Sequence, residues 1–368
     1  MLVAPPESPV RYSPSVETQE EGEERVGEEL VDTLRKISET TFKDRGHADR
    51  SVHAKSHGFL QGEMDVTPGA YAVLAQGLFA KSGRYPVVMR FSTLPGDTLD
   101  DDISTPRGLA IKVYGVEGER LSGSENDSTQ DFVLVNAPAF GAPDGKTFLA
   151  NLKLLAPTTD RFEGLKKVVS AALQPIEKAL DDAGHPSATL SALGGQPETN
   201  ILGETYYSQV PLRYGDYIAK ISVAPVSEGL MALHGAKVDL NDRPNGLREA
   251  VVDFFARHGG EWEVRVQLCA NLEDMPVENA AKVWSEEHSP YFPVATIRVA
   301  PQTAWSEARA EAVDDGMAFS PWHGLAAHQP LGSVMRLRKA AYEMSSHFRA
   351  EHNHTPTREP ARFRPLPD

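Results

Sequence analysis

In the run RLRKAAYEMSSHFR, residues 336–349, a tyrosine sits among cations at helical spacing. At ~100° per residue, Tyr342 lies ~40° round the helix from Arg338, and Arg349 lies ~20° round from Tyr342. Leu337, Ala341, Met344 and Phe348 form an apolar stripe beside that arc, so the arc borders the buried face. Two readings stand. In one, the arginine and tyrosine stems lie along an apolar rim and their heads stay wet. In the other, Arg338, one turn away, favours the anionic form of Tyr342. A phenolate is a hard ligand suited to ferric iron, and tyrosinate is one of the axial ligands that haem accepts.

A second stretch, RSVHAKSHGF (residues 50–59), places Arg50 three residues before His53 and a second histidine, His57, four after it. On a helix, His53 and His57 could share a metal. Gly58 and the β-rich surroundings oppose a helix there, so His53 reads as a structural histidine or as a general acid/base in a pocket. A third stretch, VVMRFST (residues 87–93), alternates like a strand. Val87, Met89 and Phe91 share an apolar face, and Val88, Arg90 and Ser92 share the other. That second face is either solvated or lines a cavity. In a cavity, Arg90 can pair with a carboxylate and Ser92 can hydrogen-bond a ring nitrogen.

Other patterns carry less. The acidic loop PGDTLDDD (residues 95–102) lacks the ligand alternation and glycine of an EF-hand. No Gly-Lys-Ser/Thr follows SALGGQP (residues 191–197), so it is a turn and not a phosphate loop. LSGSEN (residues 121–126) does not form a nucleophile elbow. The single cysteine, Cys269, allows no internal disulfide and no Cys-based zinc cluster, and its strand-like surroundings suggest a buried, inert thiol.

These residues need elements to hold them. The 368 residues are 40% hydrophobic and 24% charged, as in a globular protein. A net charge of -15 opposes nucleic-acid partners and docking on an anionic membrane. No apolar run approaches the ~20 residues of a membrane span, and the N-terminus does not read as a secretory signal, so a cytoplasmic protein is expected. Residues 1–25 read as a mobile tail or arm, 26–352 as one core, and 353–368 as a Pro-rich extended tail. Leu30, Leu34, Ile37 and Thr41 predict an early helix. YPVVMRFS, GLAIKVYG and DFVLVN predict strands, as do YYSQVPLRYGDYIAKISVAP, EWEVRVQLC and PVATIRVAP. KTFLANLKLLA and residues 161–184 predict helices between the two strand groups. The fold class is α+β, with antiparallel strands in a barrel or large sheet and a helical layer.

Taken together, the order and wording of these stretches resemble the haem catalase family. RSVHAKSHGF is similar to the segment with the distal histidine, and RFSTLPGDTLDDDISTPRGLAIKVYG to the family's FST…PRG stretch. KVW (residues 282–284) and residues 317–349 also resemble family segments, and the likeness runs from about residue 45 to 350. The resemblance implies an eight-stranded antiparallel β-barrel with surrounding helices, and a haem b between barrel and helices. It assigns His53 as distal acid/base, Ser92 as its hydrogen-bond partner and Val52 as the residue packed over the haem face. Tyr342 becomes the proximal ligand, Arg338 its cationic partner, and Arg50, Arg90 and Arg349 the propionate-binding arginines. Phe140 corresponds to a distal aromatic residue.

The chain departs from the family pattern in three ways. The distal asparagine motif is replaced by GSENDSTQDFVLVNAP, where Asn126, Asp127 or Thr129 could stand in, and Asn126 is the expected choice. Glu-Met-Ser-Ser follows Tyr342 in place of the usual Pro-Asp and basic residue. The chain is also shorter than large catalases, so a wider approach to the iron is expected. These departures point to the small catalase-related haem peroxidases. The implied activity is reduction of organic hydroperoxides and hydrogen peroxide with a small-molecule electron donor, and weak catalase activity. A homo-oligomer, dimer or tetramer, is expected. Two alternatives use the same scaffold: a fatty-acid hydroperoxide isomerase or lyase of the allene oxide synthase type, and a non-catalytic barrel that binds haem or an apolar ligand.

Overall fold

From residue 56 onward, β-branched and aromatic runs broken by Gly, Pro and Asp form nine strands among the described residues. The structure is a computed structural model that describes residues 4–69, 71–156 and 197–368. The strands are β1 (Ser56–Val66), β2 (Gly83–Thr93), β3 (Arg107–Tyr114), β4 (Thr129–Val135), β5 (Tyr206–Tyr207), β6 (Leu212–Tyr214), β7 (Tyr217–Pro225), β8 (Gly260–Leu268) and β9 (Phe292–Val299). They pair in the order β5-β4-β3-β2-β1-β9-β8-β7-β6, and β5 also pairs with β7. That last pairing closes an antiparallel ring of eight strands, with the short β6 continuing the β5 edge along β7. The expected strands are all present. The helix expected over residues 161–184 lies outside the described residues.

The alternation read in VVMRFST holds. Val87, Met89 and Phe91 join Leu109, Ile111, Val113, Ile221, Val223 and Trp262 in the barrel interior. Side chains as large as Phe91, Tyr206 and Trp262 fill this barrel, so its interior leaves little room for a ligand. Helices build an outside layer: α1 (Glu23–Arg45), α2 (Gly145–Leu155) and α4 (Ser333–His352), while α3 (Gly246–Phe255) packs near β1. Asp144 caps α2, its carboxylate accepting from Thr147 N at 2.8 Å. Leu30, Leu34 and Ile37 of α1 and Leu149 and Leu152 of α2 meet Leu337, Ala341, Met344 and Phe348 of α4 in a second apolar cluster. The stripe beside Tyr342 is therefore the buried face of α4.

The segment before α1 was expected to be a mobile arm, but its described part is tied down. Val10 N donates to Cys269 O and Tyr12 N to Asp216 O, each at 2.8 Å. Arg336 of α4 then pairs with Glu17 and Glu23 at 2.7 Å and with Glu278 at 2.9 Å. Three carboxylates on one guanidinium fasten segment, helix and loop together, a device that linear composition does not reveal.

The C-terminal segment runs extended over the outer barrel face, as its prolines require. Leu366 is buried, Leu366 N donates to Gln61 Oε1 at 2.8 Å, and Phe363 packs edge-on to Tyr114. Glu359 reaches a buried cluster on β3 and β4. Lys112 Nζ pairs there with Asp131 at 2.7 Å and with Glu359, and His323 Nδ1 lies 3.2 Å from Glu359. Burial alone would raise the Glu359 carboxyl, but Lys112 and His323 outweigh it and hold it at about 2. His323 is pushed up to about 9 by Asp131 and Glu359 against the opposing effect of burial. The lowered carboxyl stabilises the fold above its unfolded value of about 4.5 and loses that effect as pH falls towards 2. The raised imidazole stabilises below about 6.5 and loses its effect as pH rises through 9. Glu359→Gln should lower unfolding stability by on the order of 2 kcal/mol near pH 6, the scale of a charged hydrogen bond. Denaturant melts at pH 6 and pH 2 check this: the difference between variant and parent should shrink at the lower pH.

Candidate active site

A cavity of about 860 Å³ opens between the barrel and α1, α2 and α4. Its size falls in the range of about 300–1,000 Å³ typical of ligand and cofactor sites. Its walls include Leu34, Ile37, Val52, Ile103, Phe140, Phe148 and Ala341, so it is mainly apolar. Three polar groups converge on it: His53 from the barrel side, Arg338 with Tyr342 from α4, and Arg50 with Arg349 at a cationic end.

His53 sits in the loop before β1 with φ of 56°, a left-handed conformation uncommon for a residue with a Cβ. Its backbone is held on both sides. His53 N donates to Leu94 O at 2.7 Å, and Arg90 Nη2 donates to His53 O at 2.8 Å and to Ala54 O at 3.1 Å. The ring is fixed by Ser92, whose Oγ lies 3.1 Å from Nδ1. Ser92 pairs with Gly108 across β2 and β3. A Cβ on Gly108 would come within 2.5 Å of His53 Nδ1 and Cε1 and 2.9 Å of Ser92 Oγ. The glycine of Pro106-Arg107-Gly108 is therefore the space into which the imidazole packs. Burial, followed by the charges of Arg90, Arg338 and Arg50, depresses His53 to about 3, so the ring is neutral at ordinary pH.

On α4, Arg338 Nη2 donates to the Tyr342 phenol oxygen at 2.6 Å. Arginine has no acceptor, so the phenol oxygen must accept this bond. The same guanidinium lies 5.7 Å from the centre of the Phe140 ring, and Phe140 packs edge-on to Phe148. The departure after Tyr342 also has a structural role. Met344 enters the helical core, and Ser345 Oγ accepts from Ser51 N at 3.2 Å, tying α4 to the loop that carries Val52 and His53.

The cationic end is crowded. Arg50 and Arg349 line the cavity, and both donate to the backbone turn formed by residues 313–317. Burial and the like charges of Arg90 and Arg349 drive Arg50 well below its ordinary value, and Arg349 falls to about 10, with burial the largest cause. The Arg349 Nε proton, on a residue only 3% exposed, has no partner. Two buried cations at one end of a cavity, one with an unpartnered N–H, favour an anion nearby.

Of the residues expected at the site, the cavity thus gathers Arg50, Val52, His53, Phe140, Arg338, Tyr342 and Arg349, with Ser92 directly behind His53. Two expected residues lie off the cavity. Arg90 is 2% exposed and does not line the cavity; its guanidinium is engaged by Asp314 and by the carbonyls of the His53 loop. Asn126 is exposed in the turn before β4 and does not reach the cavity. Of its two alternatives, Asp127 lines the cavity, whereas Thr129 is buried against Glu359. His57 is buried with Nε2 3.2 Å from Thr93 Oγ1, away from the cavity. Among the described residues, one His/Asp/Glu group has metal-ligand spacing: Asp131, His323 and Glu359. Lys112 already sits against both carboxylates, so nothing calls for an ion there. Sequence reasoning missed Asp314 and Gly108. Asp314 had only an Asp-Asp-Gly run as its signal, whereas Gly108 lay in a quoted motif but needed the His53 ring to explain it.

Residues 12–160 match the family model described as Catalase. Among solved structures, the chain resembles a fungal catalase (TM-score 0.59, 17% identity, 86% of this chain and 62% of that one). Catalase A from Saccharomyces cerevisiae gives a TM-score of 0.58 at 17% identity, covering 85% of this chain and 63% of the yeast one. A bacterial catalase gives 0.57 at 18% identity, covering 87% and 62%. The chain thus spans less than two thirds of the length of these catalases. No curated protein sequence matches it. The family match spans the N-terminal helix and first four strands, and the barrel-and-helix fold of the catalases is shared over more than four fifths of the chain.

Proposed function

We propose that the protein is a haem-dependent peroxidase that reduces organic hydroperoxides and hydrogen peroxide, with only weak disproportionation of the latter. The observation that carries the reading is one cavity lined by a neutral, braced histidine, an Arg-bonded tyrosine and a cationic end with an orphaned donor. These residues fit a flat, largely apolar prosthetic group with carboxylate arms. Tyr342 would ligate the iron, Arg50 and Arg349 would meet the carboxylates, and Val52 and Phe140 would pack on the macrocycle. A haem without thioether links, such as haem b, suits the chain, because its one cysteine is buried and cannot supply a pair of such links.

When bound, the haem supplies the two electrons that cleavage of the peroxide O–O bond requires. His53 moves the proton. Its neutral ring carries one hydrogen; with that hydrogen on Nδ1, donated to Ser92 Oγ, the Nε2 lone pair is left for the peroxide. Nε2 takes the proton of the near oxygen and delivers it to the far oxygen, which departs as water or an alcohol. Arg338 keeps the Tyr342 oxygen an acceptor and shares its charge. A small-molecule donor then returns the electrons. Among the described residues, the cavity reaches exposed Ser122, Gly123, Glu343 and His347, an approach broad enough for an organic hydroperoxide.

Haem-loaded protein, given cumene hydroperoxide and a phenolic donor, should oxidise the donor faster than it evolves oxygen from hydrogen peroxide. Conversion of a lipid hydroperoxide to an allene oxide without donor oxidation would overturn the peroxidase reading. Gly108→Ala should reduce turnover about 10–100-fold at nearly unchanged haem affinity, because a displaced imidazole loses the geometry of proton transfer. Steady-state kinetics with a haem titration check this, and unchanged turnover would show that His53 tolerates the added methyl.

A further inference from the structure

Asp314 has no part in the function proposed above, yet it is the hub of the cationic end. It lies in a short π-helical turn, Glu311–Asp315, a local widening often found at functional sites. Its Oδ1 accepts from Arg50 Nη1 and from Arg90 Nε, each at 2.6 Å. Its backbone oxygen accepts from Arg349 and, at 3.1 Å, from Arg50. One residue of the turn therefore touches three arginines from three separate segments. Burial alone would raise its carboxyl, but Arg90 and Arg50 outweigh that and hold it ionised. The nearby acids Asp49 and Asp315 pair with Arg45 and His47 and act on Arg50 and Arg349 only at longer range, outside the directly bonded group.

We infer that Asp314 is a resident carboxylate that holds Arg50 and Arg349 at the cavity, with Arg90 braced behind them, and sets the net charge of this cationic end to suit a ligand with two carboxylates. Three guanidinium groups and one carboxylate leave a net charge of +2 there, by the count 3 − 1. A dianion neutralises that remainder. Without a ligand, Asp314 reduces repulsion among cations that would otherwise stand close together in a low dielectric. With a ligand, it stays in the turn and competes for the same donors, so it favours assembly of the empty site at the expense of affinity. The inference rests on the haem reading, because it takes the ligand's acidic arms as those of a porphyrin.

Metal-free protoporphyrin IX and its dimethyl ester test this without involving iron or Tyr342. Their affinities for the full chain are read by fluorescence titration. Wild-type protein should prefer the diacid over the diester, and the absence of any preference would refute the haem reading itself. Asp314→Asn should increase the preference roughly tenfold, the scale of one nearby charge, and lower the melting temperature of the ligand-free protein. Should that variant fail to fold, the double variant Asp314→Asn with Arg50→Gln restores a net +2 and should fold with a wild-type preference. A preference that stays level or falls in Asp314→Asn, or drops in the double variant, would show that Asp314 only shapes the turn.

Discussion

His53→Ala should bind haem as the parent does and lose peroxide turnover by about 100-fold or more, the scale of a removed acid/base group. The binding half follows from position. His53 presents its ring from the barrel side, whereas the apolar walls, Tyr342 and the arginines come largely from other segments. The activity half follows from preparation. The chain accepts a left-handed backbone at His53, aims Arg90 at its carbonyl, fixes Nδ1 with Ser92 and leaves a glycine where the ring packs. Strained backbone held so firmly is concentrated at working sites. Stopped-flow traces with hydrogen peroxide and cumene hydroperoxide would read the effect. If both peroxides reacted at the parent rate in His53→Ala, proton transfer would belong to another group.

Tyr342→Phe carries the second large effect. Phenylalanine keeps the ring and its place on α4 but removes the oxygen that Arg338 contacts. The variant should lose the tyrosinate signature in its spectrum and bind haemin at least about 10-fold more weakly, whereas metal-free protoporphyrin should bind within about threefold of the parent. The split separates ligation of iron from packing of the macrocycle. An equal loss for both ligands would mean that the phenol shapes the cavity and does not hold a metal. Parent-like binding of both would remove Tyr342 from the site.

Much of this arrangement was legible in the sequence. The alternation of VVMRFST fixes which side of β2 faces the barrel interior, since a period of two permits one assignment. The stripe Leu337, Ala341, Met344 and Phe348 fixes the buried side of α4 and so places Arg338, Tyr342 and Arg349 at its edge. What was not legible depended on the third dimension. Arg90 shares a strand face with Ser92, but spacing does not say that a carboxylate 224 residues away engages its guanidinium. Asn126 was favoured on residue type, and the turn before β4 directs it to solvent. Asp314 owes its role to a π-helical turn, which leaves no periodic signal in so short a run. The N-terminal segment read as mobile because its composition is polar and Pro-rich. Arg336 holds it through partners as far as 319 residues away in sequence.

The central claim is that one haem occupies the cavity between His53 and Tyr342. The most direct measurement is the absorption and resonance Raman spectrum of the protein titrated with haemin. The account predicts one haem per chain, ferric and high-spin, with tyrosinate ring modes that vanish in Tyr342→Phe. A six-coordinate, low-spin spectrum with histidine ligation that survives in Tyr342→Phe, or no saturable binding of haemin, would contradict it.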